Sequence, residues 1–189
     1  MGCAGGGGMP GGRLASVIAG AGPVLALRGG TWTVPGSVVF GKAAAISREE
    51  LATESARVAG LRNRLSEGLR RELDEIYING SVEHRLPGNL NISFAYVEGE
   101  SLLMGINDIA VSSGSACTSA TLEPSYVLKA LGTGDELAHS SIRFGLGRFN
   151  TEEEVDFVVQ KVSAVVKRLR EMSPLYELAK EHEEVKMRG

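Results

Sequence analysis

The longest run of regularly spaced apolar residues lies in the middle of the chain. Ser47 and Glu50 form a capping box, in which each residue satisfies a free backbone N–H of the other at the start of a helix. The apolar positions that follow at helical spacing are Leu51, Val58, Leu61, Leu65, Leu69 and Leu73. The pattern therefore predicts an amphipathic helix from Ser47 to about Asp74.

Near the C-terminus a strand pattern is followed by a second helical pattern. Ile142 and Phe144 flank Arg143, so a strand there places Arg143 on the face opposite the apolar side chains. Thr151 and Glu154 then form another capping box, and a valine-rich stripe predicts a helix to about residue 172.

Shorter apolar runs and turn residues predict the remaining elements. In chain order these are a strand at Tyr77–Ile78 with a turn at Asn79-Gly80, an alternating strand over Leu90, Ile92, Phe94 and Tyr96, a helix from about Glu100 to Ile106, a strand at Ile109–Val111, and a helix from Ser125 to Leu131 closed by Gly132.

Strands that alternate with long helices predict an α+β layer sandwich, with the helices packed on one face of a small sheet. The expected division of the chain has four parts. These are a Gly/Ala-rich, disordered leader (1–27), a short segment (28–46), a small α/β domain (47–173) and a C-terminal helix or tail (174–189).

Charge and composition exclude several classes of protein. The net charge is −3, but residues 1–48 contain four basic residues and no acid, which leaves −7 on the remainder. An acidic body argues against nucleic-acid binding, and no apolar run is long enough to span a membrane.

Cys3 and Cys117 lie far apart in sequence and suit a reducing compartment rather than a disulfide framework. The cysteine and histidine spacing indicates no metal site.

Cys117 has the sequence surroundings of a reactive thiol. It lies in the run Ser-Ser-Gly-Ser-Ala-Cys-Thr-Ser-Ala over 112–120, after the apolar segment that ends at Val111. Small polar neighbours do not bury a sulfur atom, and a reactive cysteine needs access and an ionised form. The residues alone leave two alternatives open, a functional nucleophile and an inert loop thiol.

Several segments together resemble the housekeeping (group I) cysteine desulfurases, which belong to the class-V aminotransferase-like enzymes of fold type I. They are the cysteine run with the following Leu122–Leu128, the block Glu136–Phe144, Gly147-Arg148-Phe149 and Arg168-Leu169-Arg170. The resemblance extends from about Leu27 to Glu181 and covers the C-terminal part of a typical family member. It implies a small C-terminal domain, with the large cofactor domain largely absent.

The resemblance also implies roles for three residues. Cys117 is expected to take sulfur from L-cysteine as a persulfide, leaving L-alanine, for iron–sulfur cluster assembly. Arg143 is expected to bind the substrate carboxylate through two parallel hydrogen bonds, the alternative being a structural ion pair. Arg28-Gly29-Gly30-Thr31 is similar to the family's R-S-G-T segment, so Thr31 is expected to contact the cofactor phosphate of a neighbouring subunit; a plain loop is the alternative.

The cofactor implied by the resemblance is pyridoxal 5'-phosphate, which the family attaches to the lysine of an S-x-H-K segment. No His-Lys pair occurs in this sequence. We therefore expect Cys117 to receive sulfur but this chain alone to be inactive.

Three functions remain open from the sequence. The first is a part of a desulfurase, the second a non-enzymatic sulfur carrier or interaction fragment that acts beside a complete desulfurase, and the third a remnant without activity. A hydrolase in which His139 activates Cys117 lacks a recognisable third group. His84 and His182 are expected at the surface.

Partners and compartment follow from the resemblance alone. They are L-cysteine, an iron–sulfur scaffold protein, a frataxin-like regulator, and a second copy in the full-length homodimer, with no nucleic acid and no membrane. The expected compartment is the mitochondrial matrix in a eukaryote and otherwise the cytoplasm. Without the large domain, apolar surface within 28–60 is expected to be exposed and to promote association.

Overall fold

The structure is a computed structural model that describes residues 34–113 and 125–179 and the backbone of two short strands near the N-terminus. Cys117, Thr31, His182 and most of the expected leader lie outside the described residues. The chain divides into two compact units, which meet in sequence between Ala52 and Thr53.

The described chain contains both helices and strands. In order they are β1 (Pro23–Val24), β2 (Arg28–Gly29), α1 (Val34–Glu72), β3 (Ile76–Ile78), β4 (Asn89–Phe94), α2 (Gly99–Gly105), β5 (Ser112–Ser113), α3 (Tyr126–Ala130), α4 (Asp135–His139), β6 (Ser141–Gly145) and α5 (Glu152–Glu171). Residues 174–179 are also helical.

The predicted start of the first helix at Ser47 is wrong, because α1 begins thirteen residues earlier at Val34. Pro35 lies in its first turn, where a proline costs no hydrogen bond and its fixed φ favours helix entry. Residues 42–45 are Lys-Ala-Ala-Ala, which are strong helix formers. Ser47 and Glu50 therefore lie in the interior of α1, whereas a capping box acts only where the chain enters a helix from outside.

A four-stranded antiparallel sheet with the order β3-β4-β6-β5 forms the centre of the second unit. β4 pairs with β6 in a register that sets Leu90 opposite Phe144 and Ile92 opposite Ile142. These four side chains are at most 3% exposed and form one apolar face. Helices α1, α2 and α5 contribute buried leucine, isoleucine and valine side chains to the same core. The predicted α+β architecture is confirmed.

Most of the other predicted elements are confirmed, including the capping box of Thr151 and Glu154 at the start of α5. Gly80 and Gly132 have φ angles of +82° and +79°, as expected for the turn and for the helix end. The strand predicted at Ile109–Val111 is wrong, because the pairing begins at Ser112, directly after the predicted strand ends. Helix α4 was not predicted, because five residues provide too little periodicity for detection.

Arg170 is the most deeply buried charged side chain of the described structure, with 2% of its surface exposed. Its guanidinium donates to the backbone carbonyls of Asp74, Glu75 and Ala95 at 3.0–3.2 Å and to the Asp74 carboxylate at 2.7 Å. It also lies 5.1 Å from the centre of the Tyr176 ring. One side chain of α5 thus joins the segments that precede β3 and follow β4.

Replacing Arg170 by methionine is expected to lower the free energy of unfolding by about 3 kcal/mol, because the backbone carbonyls of Asp74 and Ala95 and the Asp74 carboxylate lose a donor. Urea denaturation of the full chain measures this. Arg168→Met is the matched control, since Arg168 lies on the same helix and is exposed. Equal destabilisation by the two substitutions would contradict the assigned role of Arg170.

The N-terminal half of α1 exposes large apolar side chains. Val34, Val38 and Val39 are 60–68% exposed, and Phe40 is 46% exposed. The described part of 28–60 therefore has the exposed apolar surface expected from the sequence. Apolar side chains clustered at a surface favour association with another apolar surface.

We expect the full chain to associate with increasing concentration, and Val39→Glu to shift it toward the monomer by placing a charge in this patch. Sedimentation velocity over a concentration series provides the measurement. Met104→Glu is the control, because Met104 is 74% exposed but lies on α2. A wild-type chain that stays monomeric throughout would show that the exposed helix does not drive association.

Candidate functional site

The polar face of the sheet carries the candidate site. Asn91 lies opposite Arg143 in the pairing of β4 with β6, and Ser112 lies opposite Arg143 in the pairing of β5 with β6. Residues directly opposite each other on neighbouring strands share a face, so these three side chains emerge together. The face is polar because Asn89, Asn91 and Ser93 alternate with the apolar residues of β4.

Arg143 is exposed, and its Nη2 donates to Ser112 Oγ at 3.4 Å. No carboxylate pairs with Arg143 among the described residues. The structural ion pair that the sequence left open is therefore not found in this part of the chain. A guanidinium has five N–H donors in a planar fork, so Arg143 retains donors for an external carboxylate.

A cavity of about 410 Å³ lies beside Arg143 on this face. Its described basic lining residues are Arg143, Arg85 and His84, and none of the described lining residues is acidic. Arg85 Nε donates to the backbone carbonyl of Ser81 at 2.6 Å, and its partial burial lowers its pKa. The exposed leucines Leu86 and Leu131 add apolar surface to the lining. The lining suits a small anionic molecule with an apolar part.

A hydrogen-bond network orders the amides beside Arg143. Asn79 Nδ2 donates to Asn91 Oδ1 at 2.6 Å and to Ser93 Oγ at 2.8 Å. Thr133 Oγ1 donates to Asn79 Oδ1 at 3.2 Å. Both ends of the Asn79 amide are therefore occupied, and Asn91 receives a hydrogen bond on its oxygen.

Sequence reasoning did not assign a role to this network. The sequence predicted Asn79 only as a turn residue, and it predicted the β4 segment only as an alternating strand. The alternation of polar and apolar residues along β4 could have indicated it, because Asn89, Asn91 and Ser93 share the face of Arg143 when β4 pairs with β6. The contribution of Thr133 follows only from the fold, since it lies 54 residues from Asn79.

The segment that contains Cys117 is attached to the chain at this cavity. Ser113 and Ser125, the last and first described residues on either side of 114–124, both line the cavity. Cys117 itself lies outside the described residues, as does Thr31. The structure therefore locates the two ends of the cysteine loop beside Arg143.

None of the described lysines lines the cavity. Lys161 pairs with Asp108 at 3.3 Å, Lys167 pairs with Glu72 at 2.9 Å, and Lys42 and Lys129 are exposed on α1 and α3. The described residues therefore do not provide an attachment point for pyridoxal phosphate at this site, and they do not fit its covalent binding.

The histidines differ in their relation to the cavity. His84 is exposed, as expected, and lines the cavity. His139 ends α4 and is not among the lining residues, so the cavity geometry does not support the hydrolase hypothesis. Within the described part of the chain, no group of three His, Cys, Asp or Glu residues could hold a metal ion, and no helix is long and apolar enough to cross a membrane.

The described part of the chain is a small α+β domain in which Arg143 and the residues that flank 114–124 line one cavity. The family model "Aminotransferase class-V" matches residues 4–158. The chain belongs to the class-V aminotransferase family.

Individual relatives agree with this assignment. The chain is 60% identical over 169 residues to a protein named cysteine desulfurase IscS from Anaeromyxobacter sp. strain K, and the match covers 89% of this chain and 42% of the relative. A solved NifS-like protein superposes with a TM-score of 0.69 at 31% identity, over 83% of this chain and 40% of the other. A NifS-like protein from Rickettsia africae superposes with a TM-score of 0.70 at 25% identity, over 82% and 41%. The chain thus spans about two fifths of the length of these proteins.

If Arg143 recognises a carboxylate, Arg143→Lys should weaken the binding of acetate to the full chain about tenfold, because an ammonium cannot make two parallel hydrogen bonds. NMR titration of labelled protein measures the dissociation constant. Arg62→Lys is the control, since among the described residues the Arg62 side chain is hydrogen-bonded only to Asn63, and it does not line the cavity. Unchanged acetate binding in Arg143→Lys would rule out this recognition.

Proposed function

We propose that this chain forms the substrate-carboxylate and sulfur-acceptor part of a cysteine desulfurase, which converts L-cysteine to L-alanine and a protein-bound persulfide. The observation that carries the proposal is the position of Arg143, which has no described carboxylate partner and shares a cavity with both ends of the Cys117 loop. Within this proposal, 47–173 is the small domain, and 28–46 belongs to the tail of the large domain.

Arg143 holds the carboxylate of L-cysteine. The cavity favours this anion because its described lining has two guanidinium groups and no acidic side chain. Hydrogen bonds between a guanidinium and a carboxylate are stronger than those between neutral groups. Binding through the carboxylate leaves the thiol end of the substrate free to point toward the loop that contains Cys117.

Cys117 accepts the sulfur. Its thiolate attacks the substrate sulfur and forms a sulfur–sulfur bond, while the bond between that sulfur and the substrate Cβ breaks. The electron pair of the broken bond stays with Cβ, which takes up a proton and yields alanine. The products are L-alanine and a persulfide on Cys117, so no external oxidant or reductant is required.

The cofactor of the family, pyridoxal phosphate, supplies the electron sink that activates the substrate when it is bound. The described lining of the cavity contains no lysine. The lysine that binds the cofactor would therefore come from protein outside this chain, such as the remainder of a longer polypeptide or a complete neighbouring subunit. Thr31 is proposed to contact the cofactor phosphate of that neighbouring subunit.

A second candidate function is a sulfur carrier without catalysis of its own. The absence of a lysine from the described cavity lining favours it. In this case Cys117 receives sulfur from a complete desulfurase and passes it on. An iron–sulfur scaffold protein, a frataxin-like regulator and homodimer formation remain predictions from the family. A mitochondrial location also stays a prediction, because the relatives compared above are bacterial.

Incubation of the full chain with L-cysteine, pyridoxal phosphate and a complete class-V cysteine desulfurase is expected to add one sulfur atom to Cys117. Mass spectrometry of alkylated peptides locates the modification. Cys3 is the internal control, and Cys117→Ser is expected to remove the signal while Cys3→Ser leaves it unchanged.

The same reaction without the added enzyme separates the two candidates. Persulfide on Cys117 together with alanine in that reaction supports a desulfurase that needs no second enzyme. Persulfide only in the presence of the added enzyme supports the sulfur carrier or a part that depends on the rest of a desulfurase. Equal labelling of Cys3 and Cys117, or none on either, contradicts the proposed acceptor role.

A further inference from the structure

The side-chain amide of Asn91 differs from the other polar groups of the cavity in how its hydrogen bonds are distributed. Its oxygen accepts a hydrogen bond of 2.6 Å from Asn79 Nδ2. Its nitrogen has no protein acceptor among the described residues. Because Oδ1 is held on the side of Asn79, the two N–H donors of Asn91 are turned away from that residue.

The orientation of Asn79 is itself determined by its neighbours. Ser93 Oγ accepts from Asn79 Nδ2 at 2.8 Å, so this nitrogen serves two acceptors, and Thr133 Oγ1 donates to Asn79 Oδ1 at 3.2 Å. Reversal of the Asn79 amide alone would set its oxygen against the oxygen of Asn91, whereas the hydroxyls of Thr133 and Ser93 can exchange donor and acceptor roles. Since Ser93 is fully buried, the Asn79 amide is held against a fixed part of the sheet.

Asn91 is also the cross-strand partner of Arg143. The register sets these two residues directly opposite each other, and both line the same cavity. Side chains at such positions stand on one face with Cβ atoms about 4.5–5.5 Å apart. Arg143 contacts Ser112 on its other side, so a small anion at the guanidinium can meet donors from both β4 and β6.

We propose that Asn91 donates a second, neutral hydrogen bond to the carboxylate that Arg143 binds, and that Asn79 and Thr133 act as positioning residues for the Asn91 amide. The inference rests on the proposed role of Arg143. The Asn91 amide adds a directional hydrogen bond to the carboxylate, which the positive charge of Arg143 alone does not provide. An arginine attracts any anion, whereas a fixed amide donor at one side favours a planar acceptor with two oxygens. The pair therefore selects small carboxylates.

The substitution Asn91→Asp tests this directly, because aspartate keeps the size of asparagine and still accepts from Asn79 Nδ2, but offers no donor at neutral pH. We expect the acetate dissociation constant of the full chain to rise at least tenfold. The free energy of unfolding in urea should stay close to that of the wild type. Asn89→Asp is the matched control for the added charge, since Asn89 lines the same cavity on the same face of β4 but makes no described side-chain hydrogen bond.

A second measurement separates recognition from structure. The side-chain NH₂ resonances of Asn91 should shift on titration of the labelled wild-type chain with acetate, and those of Asn63, outside the cavity, should not. Asn79→Ala should weaken acetate binding less than Asn91→Asp, because it frees the orientation of the Asn91 amide without removing its donors.

Two results would overturn the inference: acetate binding that depends on Arg143 but is unchanged in Asn91→Asp, and an equal loss in Asn89→Asp. The absence of any acetate binding by the wild-type chain would also overturn it. Failure of Cys117 to receive sulfur would contradict the proposed function but not this inference, provided that acetate binding still depends on both Arg143 and Asn91.

Discussion

The pairing of β4 with β6 is the constraint on which both the core and the candidate site depend. Because side chains alternate along a strand, the register that buries Ile92 against Ile142 also sets Asn91 opposite Arg143. A slip of one residue would turn Arg143 into the apolar core and expose the isoleucines. The hydrophobic effect on one face of the sheet therefore maintains the geometry of the polar face.

The polar face is organised by hydrogen bonds from several distant segments. Asn79 follows β3, Asn91 lies in β4 and Arg143 lies in β6, and all three line one cavity. Thr133, which precedes α4, is joined to Asn79 by a hydrogen bond. The Arg170 cluster connects α5 to the chain around β3 and β4 in a similar way. Because buried or partly buried polar groups are costly when unpaired, such networks favour one arrangement of the strands over alternatives.

The elements with a clear period or a local capping signal were predictable, and the others were not. Helix α5 matched its prediction because its capping box and valine stripe indicate the same element. The predicted helix start at Ser47 was wrong because the residues before Ser47 also favour helix, so that α1 begins at Val34. Arg143 was predicted from the alternation around it and from the family resemblance, whereas Asn91 and Thr133 had no distinguishing local signal.

The sequence by itself determined the helix and strand types, the face on which Arg143 emerges and the family to which the chain belongs, because these depend on local periods and contiguous motifs. Only the tertiary structure decided that Asn79, Asn91 and Arg143 line one cavity together with Ser113 and Ser125, the residues that flank 114–124. The tertiary structure also shows that no described carboxylate pairs with Arg143. The reason is physical: strand order and pairing register arise from burial of the whole core, and no single segment contains that information.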